Sequence, residues 1–160
     1  MERIGSLLCF LVLVVTSSAQ SDTATVRILR KGCYTRLTLE QLRTLPVQEA
    51  TLTERDGSQA TYQGVSLGEV LDLGCDSTAL LDKHGSLRAV VKVTAADGFV
   101  AVVAMAEALK DFSDHPVMLA WQRNGEPLNE RHGPFQLVLA DDRKPGRNVR
   151  QVKVLEVIQP

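Results

Sequence analysis

The chain has 160 residues, of which 44% are hydrophobic and 23% are charged, a composition typical of one small globular domain. Eighteen basic and nineteen acidic residues give a formal net charge of −1, which argues against a general nucleic-acid-binding protein with a broad basic surface. Aromatic residues make up only 4% of the chain, which argues against an aromatic platform for stacking bases.

The N-terminus has the features of a secretory signal peptide. Arg3 precedes an almost wholly apolar run, and Ser17 and Ala19 are the small residues required three positions and one position before a cleavage site. The apolar run is shorter than the ~20 residues of a membrane span, which favours cleavage after Ala19 over an uncleaved anchor. We therefore expect a signal peptide over residues 1–19 and a single exported domain without a membrane span over residues 20–160. The protein would be secreted, or periplasmic in a Gram-negative source.

Two cysteines remain after this cleavage, Cys33 and Cys75. In an oxidising compartment they can pair, and closing a loop of this length would stabilise the fold by about 4 kcal/mol on the chain-entropy model. Two separate buried thiols fit the sequence equally well. Neither cysteine belongs to a Cys-x-x-Cys motif, so a redox-active pair is not expected.

Short strands and short helices alternate along the first half of the domain. Apolar and polar residues alternate over residues 25–30, which predicts a strand. Thr38 and Gln41 have the spacing of a capping box, so a helix is predicted to begin at Thr38 and to stop at Pro46.

Glycines are predicted to mark the ends of the next elements. Asp56-Gly57 has the sequence of a type I′ hairpin turn between two strands. Gly64 is predicted to end the second of these strands, and Gly74 to follow the end of a helix capped by Ser66. The other predicted elements are strands over 47–54, 59–63, 87–95, 99–103, 117–122, 135–140 and 149–158, and short helices over 76–81, closed by Gly85, and 105–110. Many short strands with a few brief helices predict one α+β domain with a mostly antiparallel sheet.

The sequence signatures of several common enzyme classes are absent. There is no phosphate-binding loop, no glycine motif for dinucleotides and no serine nucleophile elbow. His84, His115 and His132 have no metal-ligand spacing among themselves or with the cysteines. No catalytic residue and no metal ligand are therefore predicted.

The segment from Arg123 to Lys153 is distinctly basic. It contains seven basic and four acidic residues, a local net charge of +3 in a chain whose total is −1. Its loop over residues 143–150 holds Gly146, which lets the backbone approach a ligand closely, and arginines that can bind an oxyanion through two hydrogen bonds. Such a loop suits phosphate or another small anion. A solvated surface loop balanced by Asp141 and Asp142 is the alternative.

Several motifs in the chain resemble the molybdopterin-binding domain of the sulfite oxidase type. The most specific are Asn-Gly-Glu-Pro-Leu at residues 124–128, His-Gly-Pro at 132–134 and Gly-Arg-Asn-Val-Arg at 146–150. Weaker similarities are the aromatic-x-Gly-Val-x-Leu segment at 62–67 and the Asp-Gly-Phe hairpin at 97–99. The resemblance covers roughly residues 37–158. It implies an α+β, sulfite-oxidase-like fold with a mostly antiparallel or mixed sheet and short helices.

The resemblance also implies a ligand. In that family the domain binds molybdenum through a pterin dithiolene and one cysteine thiolate, and the His-Gly-Pro element and the Gly-x-Arg loop help to hold the pterin and its phosphate. Carried over residue by residue, the implied cofactor contacts are His132, Arg147, Asn148 and Arg150. We expect these four side chains to converge on one face, with Arg143 and Lys144 at its rim.

The metal-ligating cysteine of the family is missing from this chain. In the family it follows the strand that matches residues 50–53, whereas here Glu54 and Arg55 lead directly into the hairpin turn. Gln136 stands where the family has an arginine. Because a thiolate sets the charge and the redox potential of the metal, oxygen-atom transfer by the usual mechanism is not expected.

These observations favour an exported, non-catalytic relative of the molybdopterin-binding domain that binds a small anionic ligand or a periplasmic partner protein. In this interpretation no cofactor is expected, and neither nucleic acid nor a membrane is a partner. The alternative is an oxidoreductase subunit that retains molybdopterin without the usual cysteine ligand. A purely structural scaffold is a third interpretation.

Overall fold

The computed structural model of the chain describes residues 24–75, 83–114 and 117–159. Its strands are β1 (Thr25–Arg30), β2 (Cys33–Thr38), β3 (Val47–Thr53), β4 (Gln59–Ser66), β5 (Val90–Ala95), β6 (Val100–Ala104), β7 (Met118–Arg123), β8 (Glu126–Pro127), β9 (Gln136–Val138) and β10 (Val152–Ile158). Its helices are α1 (Leu39–Leu42), α2 (Leu67–Cys75), α3 (Lys83–Arg88) and α4 (Met105–Ala108), and a 3₁₀ turn spans Pro145–Arg147.

The strands form two five-stranded sheets. Sheet A has the order β2-β1-β10-β5-β6, and sheet B has the order β3-β4-β7-β8, with β9 also paired to β7. The pairing of β1 with β10 is parallel, and the other pairings in the two sheets are antiparallel. This mixed, mainly antiparallel architecture with short helices confirms the predicted α+β class.

The main hydrophobic core joins the inner face of sheet A to α2 and to one face of sheet B. Ile28, Leu71 and Leu119 represent these three layers, and all three side chains are fully buried. A smaller cluster around Tyr62 and Met118 lies on the opposite face of sheet B, because successive side chains of a strand point to opposite faces. Apolar clusters therefore pack on both faces of sheet B.

The predicted capping box is present at the start of α1. The backbone N of Gln41 donates to Thr38 Oγ1 at 3.2 Å, and the backbone N of Thr38 donates to Gln41 Oε1 at 2.9 Å. The helix ends at Leu42, however, so the predicted end at Pro46 is wrong. The strand β2, which leads into this helix, was not predicted from the sequence.

A disulfide joins Cys33 on β2 to Cys75 at the end of α2, with the two Cα atoms 6.0 Å apart. Beside it, Thr35 Oγ1 donates a hydrogen bond to the carbonyl oxygen of Gly74 at 2.8 Å. The sequence left paired and separate cysteines equally open, and the structure has the pair. The disulfide holds the end of α2 against the edge strand of sheet A.

Two glycines have a role different from the predicted one. Gly64 lies inside β4 rather than at its end, and a side chain there would collide with the backbone of Leu119 and Ala120 on β7. Gly74 lies inside α2 rather than after it, and a side chain there would collide with Ile28. Both glycines therefore permit close packing between elements and do not end the elements that contain them.

Other sequence predictions differ from the structure in their boundaries. Helix α3 continues through Gly85, which was predicted to close the preceding helix, so β5 begins at Val90 and not at Leu87. The predicted helix over residues 76–81 and the signal peptide over residues 1–19 lie outside the described residues. In the part of the chain that the structure describes, no helix has the length and hydropathy of a bilayer span.

Candidate functional site

Two loops carry the site residues that the sequence predicts. The first connects β8 to β9 and contains a cis peptide bond between Gly133 and Pro134. The second connects β9 to β10 and returns beside β9, because Leu137 N donates to Val149 O at 2.8 Å. Val152 N also donates to Phe135 O at 2.9 Å, so the end of the second loop lies against the end of the first.

Gln151 fixes the second loop against the first. Its φ of 50° is in the left-handed region, which is uncommon for a residue other than glycine. Its backbone N donates to His132 O at 2.9 Å, and its carbonyl oxygen accepts from Ala96 N at 3.0 Å. Its side-chain Nε2 donates to Glu130 O at 2.6 Å. These three bonds stabilise the unusual backbone conformation of Gln151. They also fix the position of the preceding residue, Arg150.

Arg131 and Arg150 line a groove of about 420 Å³, which we call the Arg131–Arg150 groove. Its other lining residues come from the β5–β6 hairpin and from the second loop, and they are Ala95, Asp97, Phe99, Gly146, Asn148 and Gln151. Phe99 is 48% exposed. Within the described residues, no hydrogen bond or salt bridge engages the guanidinium of Arg131 or Arg150. Both guanidinium groups are therefore available to an anion.

His132 lies in a separate cavity of about 240 Å³, which it shares with Arg123 and with residues 126–129. Its Nδ1 is 2.8 Å from Asn129 Oδ1, which also accepts from the backbone N of His132 at 3.2 Å. Because an amide oxygen only accepts hydrogen bonds, Nδ1 carries the ring proton and Nε2 keeps its lone pair. Burial, followed by the charges of Arg150 and Arg123, lowers the pKa of His132. The ring is therefore a neutral acceptor at pH 7.

Arg147 is engaged by two carboxylates. Its guanidinium donates to Asp142 at 2.7 and 3.0 Å and to Glu107 at 3.1 and 3.3 Å. The bonds to Asp142, and then those to Glu107, raise the pKa of Arg147 above its usual range. One guanidinium between two carboxylates leaves a net negative cluster, which repels an anion. The expectation that Arg147 is one of the anion contacts therefore conflicts with this geometry.

Asn148 has a clear structural contact as well as a place in the groove. Its Oδ1 accepts from the backbone N of Leu139 at 2.9 Å, which pins the second loop to the end of β9. The four predicted contacts consequently do not converge on one cavity. Arg150 and Asn148 share the Arg131–Arg150 groove, His132 lies in the cavity with Arg123, and Arg147 lies in a third cavity among acidic residues.

The predicted rim residues Arg143 and Lys144 are exposed and do not line the Arg131–Arg150 groove. Arg131 takes that place instead. In the sequence, Arg131 is only one of the seven basic residues of the segment from Arg123 to Lys153. The sequence feature that could have identified Arg131 is its position directly before the His-Gly-Pro element. In the structure, the hydrogen bonds of Gln151 bring Arg131 beside Arg150.

A buried polar network that the sequence did not reveal borders the cavity of His132. Tyr62 is 1% exposed and donates its hydroxyl to Glu54 Oε1 at 2.6 Å. Arg123 Nη2 lies 3.4 Å from the same carboxylate oxygen. Burial, and then the bond to Glu54, raises the pKa of Tyr62. Gln136 is also buried here, and its Oε1 has no hydrogen-bond partner among the described residues. The members of this network lie on β4, β7 and β9 and directly after β3, so no local sequence pattern predicts it.

A larger groove, of about 830 Å³, lies over β3 and β9. Met118 and Val138 contribute apolar surface to it, whereas its charged residues are Lys110 and three acids, Glu49, Asp114 and Asp141. An acidic rim disfavours an anionic ligand. The chemistry that suits an anion is therefore in the smaller Arg131–Arg150 groove and not in this larger one.

Comparison with known proteins gives one family. The model of the oxidoreductase molybdopterin binding domain matches residues 19–159 of the chain. The match confirms the resemblance drawn from the motifs, and it includes all of the described residues. No curated protein matches the chain.

Proposed function

Because the chain belongs to the oxidoreductase molybdopterin-binding domain family, we propose that it is a non-catalytic member that binds a small oxyanion, or a ligand with an anionic group, in the Arg131–Arg150 groove. The observation that carries the proposal is the pair of guanidinium groups that line this groove without an intramolecular partner among the described residues.

The groove has the chemistry that recognises a phosphate or sulfate group. A guanidinium offers a planar fork of N–H donors that fits two oxygens of an oxyanion. The two arginines outnumber Asp97, the carboxylate in the same lining, so the groove carries a net positive charge. The half-exposed ring of Phe99 offers apolar surface beside the two cations, so a ligand that combines an anionic group with a flat ring would use both features.

The residues of this chain do not fit the metal end of the family's cofactor. Molybdenum in this family needs a cysteine thiolate, and both cysteines of the described residues are consumed by the Cys33–Cys75 disulfide. In the same residues no three side chains of histidine, cysteine, aspartate or glutamate are grouped to hold a metal ion. After β3, where the family places its cysteine, the Glu54 carboxylate is bound to Tyr62 and Arg123. We therefore assign no redox step to this chain.

The family match favours a second candidate function, an oxidoreductase subunit that retains molybdopterin without the usual cysteine ligand. In that case the anionic group of the cofactor would occupy the Arg131–Arg150 groove. The two candidates differ in whether the purified protein carries molybdenum and turns over a substrate.

The deciding experiment combines metal analysis with anion titration. Protein purified from a host that makes molybdopterin is analysed for molybdenum. Phosphate, sulfate and a pterin phosphate are titrated by calorimetry into wild type, Arg131→Ala/Arg150→Ala and the control Arg143→Ala/Lys144→Ala. Both variants lose two positive charges, but only the first changes the groove. Charge-assisted hydrogen bonds of about 1.5–3 kcal/mol predict at least tenfold weaker binding in the first variant and little change in the control.

Three results would contradict the proposal. Stoichiometric molybdenum with sulfite- or sulfoxide-dependent turnover would establish the second candidate. An equal loss of affinity in both variants would show that binding responds to net charge and not to the groove. Failure of phosphate, sulfate and a pterin phosphate to bind the wild-type protein would remove the anion-binding function altogether.

We also propose that the protein is exported and that its signal peptide is cleaved after Ala19. The support is the apolar run with Ser17 and Ala19 at the cleavage site. Mass spectrometry of the protein recovered from the periplasm or the medium is expected to give an N-terminus at Gln20. A mature protein that begins at Met1 would contradict cleavage.

A further inference from the structure

The outer edge of sheet A is formed by β6, which pairs with β5 on one side only. The ladder between them includes the bonds from Ala95 N to Phe99 O and from Met105 N to Ala89 O, each 2.9 Å. In an antiparallel ladder the residues that bond to the neighbouring strand alternate with residues that do not. Val100 and Val102 therefore direct their N–H and C=O groups away from β5, toward the open edge.

Among the residues that the structure describes, this edge carries none of the features that keep sheet edges apart. Natural edge strands are protected by lysine, proline, a bulge or a covering element. The sequence of β6 is Val-Ala-Val-Val-Ala, and its pairing with β5 is regular. The side chains of Val100 and Val102 are 43% and 51% exposed on the outer face of the sheet. An uncharged, β-branched edge with free backbone groups is suited to pairing with another strand.

We propose that β6 pairs with β6 of a second copy of this chain. The two strands run antiparallel about a two-fold axis and extend sheet A of each copy into one continuous ten-stranded sheet. The inference rests on β6 alone and does not depend on the proposed anion-binding function.

The backbone groups at the edge select one register for this pairing. When Val100 of one copy lies opposite Val102 of the other, the free N–H and C=O groups of both residues are all used, in four hydrogen bonds. A register centred on Val102 would need the N–H of Ala104 as a donor. That group already donates to Glu107 Oε2 at 2.9 Å. The first register is therefore the one in which each outward group finds a partner.

The charge distribution favours a second copy over a partner of strong charge. No residue of β6 is charged, so a two-fold axis through the strand brings no like charges together. The nearest charged side chain on the outer face belongs to Lys92, which pairs with Val102 across the ladder and is bound to Glu156 at 3.1 Å. Valine would meet valine across the new pair, which is a favourable cross-strand combination in a sheet.

The test measures association and backbone protection together. Sedimentation velocity from about 1 to 200 μM is expected to show a concentration-dependent dimer. Hydrogen exchange at the amides of Val100 and Val102 is expected to slow as the dimer forms. Val102→Lys is expected to raise the dimer dissociation constant at least tenfold, because it places two like charges near the two-fold axis. Val102→Pro removes an N–H that makes no bond to any described residue, and it should have the same effect.

The matched control is Val154→Thr, on the central strand β10 and on the same outer face of sheet A. It should leave the dimer intact and should show that the two Val102 variants act through the edge. A protein that stays monomeric throughout this range, with fast exchange at Val100 and Val102, would overturn the proposal. A dimer that resists both Val102 variants but is disrupted by Val154→Thr would overturn it as well, because the interface would then be the sheet face.

Discussion

Removal of the Cys33–Cys75 disulfide is expected to lower the free energy of unfolding by several kcal/mol. The two cysteines are 42 positions apart, and the chain-entropy model gives about 4 kcal/mol for a loop of this length. Cys75 is 6% exposed and packs in the main core, so alanine at both positions keeps an apolar side chain there. For Cys33→Ala/Cys75→Ala we therefore expect a loss of about 3–4 kcal/mol and a melting temperature lower by roughly 10 °C.

Urea unfolding followed by circular dichroism measures this loss. The oxidised wild type, the reduced wild type and the double variant are compared, and the reduced wild type should unfold at the midpoint of the variant. Because the denatured chain without the cross-link is more extended, the m-value should also rise. The variant itself should not respond to reductant. Equal unfolding midpoints for oxidised and reduced wild type would refute the reasoning.

Three further predictions concern single residues. Gly64→Ala should destabilise the fold by about 2 kcal/mol or more in urea unfolding because its Cβ would meet the backbone of β7, whereas Gly146→Ala, which has open space, should change little. In an NMR titration the pKa of His132 should lie below the ordinary 6.5. The contribution of the neutral ring to stability is therefore complete above pH 6.5 and is lost as the pH falls toward the lowered pKa, and Arg150→Ala should raise this pKa. Arg147→Ala should lower stability by at most about 1 kcal/mol, because the side chain is 40% exposed, and calorimetry should show phosphate binding unchanged.

Features set by a few adjacent residues could be predicted from the sequence. The capping box of Thr38 and Gln41 is present as expected, because both of its hydrogen bonds lie within one turn of chain. The strand Thr25–Arg30 has the predicted bounds, because alternation along a half-buried strand is visible in the sequence itself. The hairpin at Asp56-Gly57 likewise joins β3 to β4, but the predicted turn type is wrong: a type I′ turn needs a positive φ at both central residues, and here Gly57 has a positive φ whereas Asp56 does not.

Features set by contacts between distant segments could not be predicted. The sequence predicted that Gly64 and Gly74 end their elements. A glycine that ends an element and a glycine that permits close packing of a neighbouring element have the same local sequence pattern. What decides between these roles is the position of β7 and of Ile28, which belong to other elements. The parallel pair of β1 and β10 joins the two ends of the domain, and no local pattern encodes that choice.

Contacts between distant segments also explain why the four predicted site residues do not share one cavity. Arg147 and Arg150 are three residues apart in one loop and are equivalent by composition. The fold places Glu107 and Asp142 against Arg147, and the Arg147 guanidinium is therefore bound within the molecule. The left-handed conformation of Gln151 holds the other arginine in the groove beside Arg131, away from these carboxylates. In the proposed anion site, this loop can therefore contribute only an arginine that lacks an internal carboxylate partner, and the bonds to Asp142 and Glu107 exclude Arg147 from that role.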